Sequence, residues 1–261
     1  MSDFYITLPS NSSMNYYPNN TLSHYTTKLP KRVTLAGDWE VGLVEVQYPH
    51  TWFNVSEGDR TFRISQRDDS NDKKVWLEVG TFKLEVGYYP SPQYLVKLIN
   101  GRIKAIFKSD PVSFSYRSIT QKIKVTLAND TQITIPSQLK DMFHLKHATM
   151  LPDVNLTETT YKSEKPIDLD KGMYALYVYS DIVEPQIVGD SLVSLLRAVP
   201  ISGEYGEKVY THFNNAQYHP LARRDFDTVE VDIRDDTGKP IPFERGKLLV
   251  TLHLRQRRQL L

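Results

Sequence analysis

Thr228-Val229-Glu230-Val231-Asp232-Ile233-Arg234 places an apolar side chain at each odd position and a polar one at each even position. A repeat of two sends one set of side chains to a core and the other to water, the pattern of a half-buried β-strand. The next residues, Asp235-Asp236-Thr237-Gly238-Lys239-Pro240, are turn formers: Asp caps its own backbone, Gly accepts positive φ and Pro cannot continue a ladder. The same rhythm recurs in Trp39-Glu40-Val41-Gly42-Leu43, in Lys122 to Leu127 and in Leu248 to Leu254. Asn129-Asp130 separates two strand-like runs, and Gly246 precedes the last one. Tyr174, Tyr177 and Tyr179 belong to such a run, and Tyr and Val suit a pleated surface. Many short strands with turn chemistry between them predict antiparallel sheets.

Two segments carry a helical rhythm instead. Ser91-Pro92 offers an N-cap followed by Pro at the first helical position. Apolar residues at 95, 98, 99, 103 and 106 then keep a helical spacing past Gly101. Leu139, Met142 and Phe143 share a face in a second, shorter helix over 137–143. Asp190 to Leu196 reads equally well as a short helix or a strand. From Thr81 the expected order is strand (81–86), helix (91–106), strands (112–117, 122–127, 131–135) and helix (137–143). This is an α+β unit inside an otherwise β chain. The expected organisation is therefore a mainly β, antiparallel β-sandwich built from 1–66 and 172–261, with a small α+β subdomain inserted at 75–150. Polar stretches, 67–74 before it and 151–171 after it, are expected to be surface connections.

Composition narrows the chemistry. The 261 residues suffice for one large domain or two small ones. With 32 Lys+Arg against 31 Asp+Glu the net charge is +1, which argues against a nucleic-acid coat. The absence of cysteine removes disulfides, Cys-ligated zinc, iron–sulfur clusters and thiol catalysis. No apolar run approaches the ~20 residues of a membrane-spanning helix, so no membrane insertion is expected. Met1-Ser2-Asp3-Phe4-Tyr5 lacks the basic and apolar blocks of a signal peptide, and Asn-x-Ser/Thr triplets such as Asn11 and Asn155 are read as chance.

Catalytic constellations are weak. Gly189-Asp190-Ser191-Leu192 spells the motif of a serine esterase family, but no Asp-x-x-His pair follows it. A hydrolase using Ser191 lacks its base, and a turn at Gly189-Asp190 explains the motif better. His144 and His147 are three apart without a carboxylate pattern beside them, and His212 and His219 fall in a loop-like segment among Tyr210, Phe213 and Tyr218. The acidic run from Asp225 to Asp236 lacks the order of a calcium loop. No phosphate-cradling glycine motif occurs. Neither a cofactor nor a metal nor a catalytic residue is expected. The basic end, Leu254-Arg255-Gln256-Arg257-Arg258-Gln259, is the one stretch that could touch nucleic acid, and a solvated tail explains it as well.

Several longer stretches carry a resemblance. They are Phe4 to Asn11, Tyr17 to Thr21, Gly37 to Pro49, Val188 to Ser191, Leu195 to Arg197 with Pro200, and Asp232 to Phe243 followed by Gly246 and the strand 248–254. Together they resemble the minor capsid (penton) proteins of Polinton/Maverick elements and related adintovirus-like viruses. The resemblance implies a jelly roll that forms homopentamers at icosahedral vertices among double jelly-roll major capsid proteins. It also implies a place in the virion, with assembly inside the host cell. It transfers no individual site residue.

A protein of that kind works by contact, and interfaces favour Tyr, Phe, Trp and Arg at their centres. Composition makes Tyr205, Tyr210, Phe213, Tyr218, Arg223 and Arg224 the first candidates for a subunit interface. The alternative function is a carbohydrate- or receptor-binding β-sandwich that uses exposed Trp52, Phe53 and Trp76.

Overall fold

The computed structural model describes residues 3–68, 75–107, 110–153 and 155–257. The chain forms two compact units, unit 1 from Met1–Trp52 and Met173–Leu261, and unit 2 from Phe53–Gly172. Unit 1 begins with β1 (Asp3–Pro9), β2 (His24–Thr34) and β3 (Trp39–Pro49). Unit 2 contains β4 (Thr61–Asp68), β5 (Val75–Lys83), α1 (Pro92–Ile106), β6 (Val112–Arg117), β7 (Lys122–Ala128), β8 (Thr131–Thr134), α2 (Ser137–Met142), β9 (Thr149–Met150) and β10 (Glu158–Lys162). Unit 1 resumes with β11 (Ala175–Ser180), β12 (Gln186–Val188), β13 (Ser191–Val193), β14 (Leu195–Pro200), β15 (Lys208–His212), β16 (Tyr218–Pro220), β17 (Asp225–Arg234) and β18 (Leu249–Gln256).

The strands of unit 1 make two antiparallel sheets, β1-β18-β3-β15 and β14-β11-β17-β2, and β16 continues the line of β15 along β3. With β15 and β16 counted as one broken strand, lettering the positions B to I along the chain gives B-I-D-G and C-H-E-F. That is the strand order of a jelly roll. β12 and β13 form a separate hairpin between the E and F positions. The mainly β antiparallel sandwich expected from the alternation, and the jelly roll that the resemblance implies, describe the fold the chain adopts.

One core fills the space between the sheets, drawing Ile6 and Leu8 from β1, Tyr25 from β2, Val229, Val231 and Ile233 from β17, and Val250, Leu252 and Leu254 from β18. The alternation breaks where strands bulge. In β3 the core positions are Trp39, Val41 and Leu43 and then Val46 and Tyr48, so parity changes at Val44-Glu45. The β18–β3 register shifts at the same place, with Thr251 opposite Glu45 and Leu252 opposite Leu43. A bulge inserts one residue and flips every side chain beyond it.

Unit 2 packs two antiparallel sheets, β10-β7-β6 and β5-β4-β8-β9, with both helices around its own core. Helix α1 starts as its sequence dictates. Ser91 accepts from the Tyr94 N–H, Pro92 takes the first position, and Leu95, Val96, Ile99 and Ile103 form the buried face. The helix passes through Gly101 to Ile106.

Two expectations need correction. The sandwich segment was expected to reach residue 66, but β4 pairs with β5 and β8, so residues from Phe53 onward belong to unit 2. The 151–171 stretch is more than a connection: β10 pairs along β7 from Glu158 to Lys162, and Ile167 and Leu169 pack on the unit 2 core. Its strand is polar on both faces and so gives no alternation to read. Asp190 to Leu196, which the sequence left open between a short helix and a strand, forms parts of two strands, β13 and β14. Of the polar stretch at 67–74, positions 69–74 lie outside the described residues.

Candidate functional site

The outer face of the β1-β18-β3-β15 sheet is unusual because its central residues are polar yet covered. Thr251 and His253 on β18 alternate with core residues and are nevertheless buried. The covering comes from the 213–217 loop, which interrupts the strand between β15 and β16. Phe213 N–H donates to the Val44 carbonyl at the bulge. Gly42 lets the loop approach: a Cβ there would lie 2.8 Å from the Gln217 carbonyl oxygen and 3.2 Å from Tyr218. The result is a cavity of about 700 Å³ with the sheet as floor and the loop as wall.

Its polar groups are held in place. Tyr210 donates from its hydroxyl to Glu45 Oε1 at 3.0 Å, and His212 Nδ1 lies 3.3 Å from the same oxygen. These contacts, the Tyr210 hydroxyl foremost, hold the Glu45 carboxyl below its ordinary value. The same bond raises Tyr210. The Tyr218 hydroxyl sits 2.7 Å from His253 Nδ1, and the Tyr5 ring stacks on His253 with centroids 4.5 Å apart and planes 16° from parallel. His253 Nε2 has no hydrogen-bond partner and faces the Asp3 carboxylate at 3.5 Å. Arg255 is occupied twice, by Glu40 at 2.6 Å and by the Tyr218 ring at 3.5 Å.

The opposite sheet carries a second cavity of about 820 Å³, beneath the β12–β13 hairpin. Its lining includes Asp181, Glu230, Asp232, Tyr177 and Tyr179. Burial raises the Asp181 carboxyl, outweighing the Glu230 N–H and the Arg223 guanidinium that favour its charged form. Ser191 lies here at the start of β13, and its hydroxyl donates to Asp190 Oδ1 at 3.2 Å. The residues that line this cavity include no histidine to act as its base. Above it, Ile187 and Leu192 are cross-strand partners and are 82% and 69% exposed.

The six interface candidates divide between these surfaces. Phe213 and Tyr218 line the first cavity, and Tyr210 bonds to its Glu45. Phe213 stacks under the Arg197 guanidinium, 3.9 Å from its ring centroid. Tyr205 sits half-buried in the turn before β15. Arg223 pairs with Asp181 and also donates to the Thr228 carbonyl, while Arg224 pairs with Asp38 at 2.5 Å. Sequence reading missed Tyr5, Glu45 and His253. The available signal was an aromatic ring or imidazole at the solvent-phase positions of β1 and β18.

The aromatic set for the alternative function also needs correction. Trp52 is buried in the unit 1 core and stacks on His50 at 4.2 Å, and Phe53 and Trp76, both in unit 2, are half-buried. His144 lies 2.5 Å from the Pro166 carbonyl oxygen through Nδ1, and among the described residues no cluster of three His, Asp or Glu side chains could hold a metal. In the basic end, Arg258 and Gln259 lie outside the described residues. Among the described residues no helix is long and apolar enough to cross a membrane.

A B-I-D-G/C-H-E-F sandwich whose polar chemistry lies on its outer faces defines the class: a jelly roll with an α+β unit between its D and E strands. Compared with known proteins, the chain matches no family model and no curated protein. Among solved structures it is similar to the crystal structure of the mavirus penton protein, with a TM-score of 0.51 and 10% identity. The likeness covers 98% of this chain and 100% of that one, so the shared fold includes both units.

Proposed function

We propose that this chain is a capsid vertex subunit that assembles with copies of itself, as a homopentamer, at the five-fold positions of a virus-like particle. The observation that carries this reading is the full-length likeness in fold to the mavirus penton protein. The B-I-D-G/C-H-E-F order supports it, because that sandwich is common in viral capsids. Double jelly-roll major capsid subunits are the proposed neighbours, the virion the proposed location and the host cell the place of assembly.

A five-fold ring is heterologous, so one face of each subunit must meet a different face of the next. We place one half of that contact on the β12–β13 hairpin. Among the described residues of unit 1, Ile187 and Leu192 are the two most exposed large apolar side chains outside its tyrosines. Such a pair gains most from being covered.

Native mass spectrometry of the purified chain, alone and mixed with a double jelly-roll major capsid protein, tests the proposal. Pentamers, or vertex complexes with the partner, are the expected species. A strict monomer that also ignores the partner would overturn it.

A further inference from the structure

The outer-face cavity of unit 1 contains an ordered ring, an ordered carboxylate and amide groups around a concave surface. We propose that it binds a neutral saccharide, with Tyr5 as the stacking platform and Glu45 as the acceptor for sugar hydroxyls. This reading uses unit 1 alone and does not depend on the vertex reading.

The ring comes first. Tyr5 is 64% exposed, yet stacking on His253 fixes its orientation. An aromatic face is electron-rich, and the C–H face of a pyranose is apolar and slightly positive, so the two pack together. A ring already held flat loses little entropy when a ligand covers it.

The carboxylate comes second. Glu45 is fixed by Tyr210 and His212, and its lowered pKa keeps it ionised at neutral pH. A carboxylate has about four lone-pair sites, and Tyr210, His212 and the Thr251 hydroxyl engage it, so it retains capacity for one ligand hydroxyl. Asn214 and Asn215 line the same cavity and add amide donors and acceptors. Paired hydroxyls need such a mixture of donors and acceptors, which an apolar ligand would leave unpaired.

Charge then selects among sugars. An ionised Glu45 in the floor repels an acidic glycan. Arg255, the cation in the lining, is already engaged by Glu40 and the Tyr218 ring. No free cation of the lining is left to repay the desolvation of a sialate or sulfate. At about 700 Å³ the cavity is within the usual range for small-ligand sites.

The test uses the full chain. Saturation-transfer NMR with the methyl glycosides of galactose, glucose and mannose is followed by a glycan array that carries neutral, sialylated and sulfated members. Binding of at least one neutral glycoside is expected. Tyr5→Ala and Glu45→Gln should each weaken it about tenfold or more, and Tyr5→Phe should retain it. Tyr5 and Glu45 both point out of the core, so unchanged thermal unfolding of the variants is the check on folding. Absence of binding to any neutral glycan, binding confined to acidic glycans, or binding that survives Tyr5→Ala would each overturn the assignment.

Discussion

The Tyr25 hydroxyl donates to the backbone carbonyl of Leu8 at 3.0 Å. Tyr25 lies on β2 and Leu8 on β1, so this bond ties the two sheets of the jelly roll together through a core in which both residues are fully buried. Burial pushes the Tyr25 phenol far above its ordinary value, so it remains a donor at neutral pH. Tyr25→Phe keeps the ring and removes the bond. It should cost about 1 kcal/mol of stability, whereas Tyr25→Ala should cost about 3–5 kcal/mol through the cavity it leaves. Denaturant midpoints of the two variants measure the difference, and a Tyr25→Phe midpoint equal to wild type would show that the bond contributes nothing.

In unit 2 a side chain takes the place of a strand. Asn100 on α1 donates from Nδ2 to the Phe114 carbonyl at 2.8 Å and accepts from the Phe114 N–H at 2.9 Å. The amide thus pairs with β6 as a neighbouring peptide group would. Asn100→Ala leaves both backbone groups without that partner, at an expected cost of about 2 kcal/mol. Asn100→Asp should destabilise at least as much at neutral pH, because it sets a carboxylate against a carbonyl. Hydrogen exchange at the Phe114 amide should accelerate in both variants, and unchanged protection would contradict this account.

Gly42 controls the wall of the outer-face cavity. Any larger residue there meets the Gln217 carbonyl, the Tyr218 ring and Ala216 within 3.3 Å. Gly42→Ala should therefore push the 213–217 loop outward and separate the Tyr218 hydroxyl from His253. Forced overpacking of this kind costs about 1–3 kcal/mol. The readout is the His253 imidazole resonance, which should move toward that of a free side chain. A spectrum identical to wild type would mean that the loop yields without disturbing the pair.

The sandwich was readable because Val229, Val231 and Ile233 obey one rule along an uninterrupted strand. The rule failed where the backbone departs from a flat ladder. At Val44-Glu45, and again between Phe226 and Thr228, a bulge changes which parity faces the core, and no single residue type announces it. β10 stayed hidden because Glu158 to Lys162 buries no side chain fully. The cavity was hidden for another reason. Tyr5, Glu45, Tyr218 and His253 come from four strands, and each alone is an ordinary polar or amphipathic residue on a solvent-phase position. What brings them together is the antiparallel register, with Tyr5 opposite His253 and Tyr218 opposite Gly42. The contacts of the composition-based interface set are spread for the same reason: Tyr218 bonds to His253 on β18, whereas Arg223 bonds to Asp181 and to the Thr228 carbonyl on β17.

The hairpin contact can be separated from folding. Ile187 and Leu192 face each other across a turn in which Gly189 has φ of 62°, and neither enters the core. Ile187→Ser combined with Leu192→Ser should leave the thermal unfolding of the subunit within about 0.5 kcal/mol of wild type, as expected for surface positions. The proposed pentamer should then dissociate to monomers in native mass spectra. Intact pentamers from the double variant would move the contact elsewhere.

Acid should loosen the β2–β17 edge first. Lys28 pairs with Asp227 at 2.5 Å, and Arg32 pairs with Asp225 at 2.6 Å. Each cation, chiefly through its hydrogen bond, holds its carboxyl below the ordinary value. A carboxyl depressed in the folded state stabilises it fully above the unfolded value, about 3.9, and that contribution disappears as pH falls through the folded one. Asp181 acts in the opposite sense, because burial raises it and its protonation favours the folded state as pH falls. The loss below about pH 4 should therefore come from Asp225 and Asp227, with Glu45 on the opposite sheet contributing in the same sense. Both sites are exposed, so salt should weaken the effect. The double variant Asp225→Asn, Asp227→Asn should show a flatter decline of denaturant midpoint with acid than wild type, together with a smaller response to salt. An acid slope equal to wild type would assign the loss to other carboxylates.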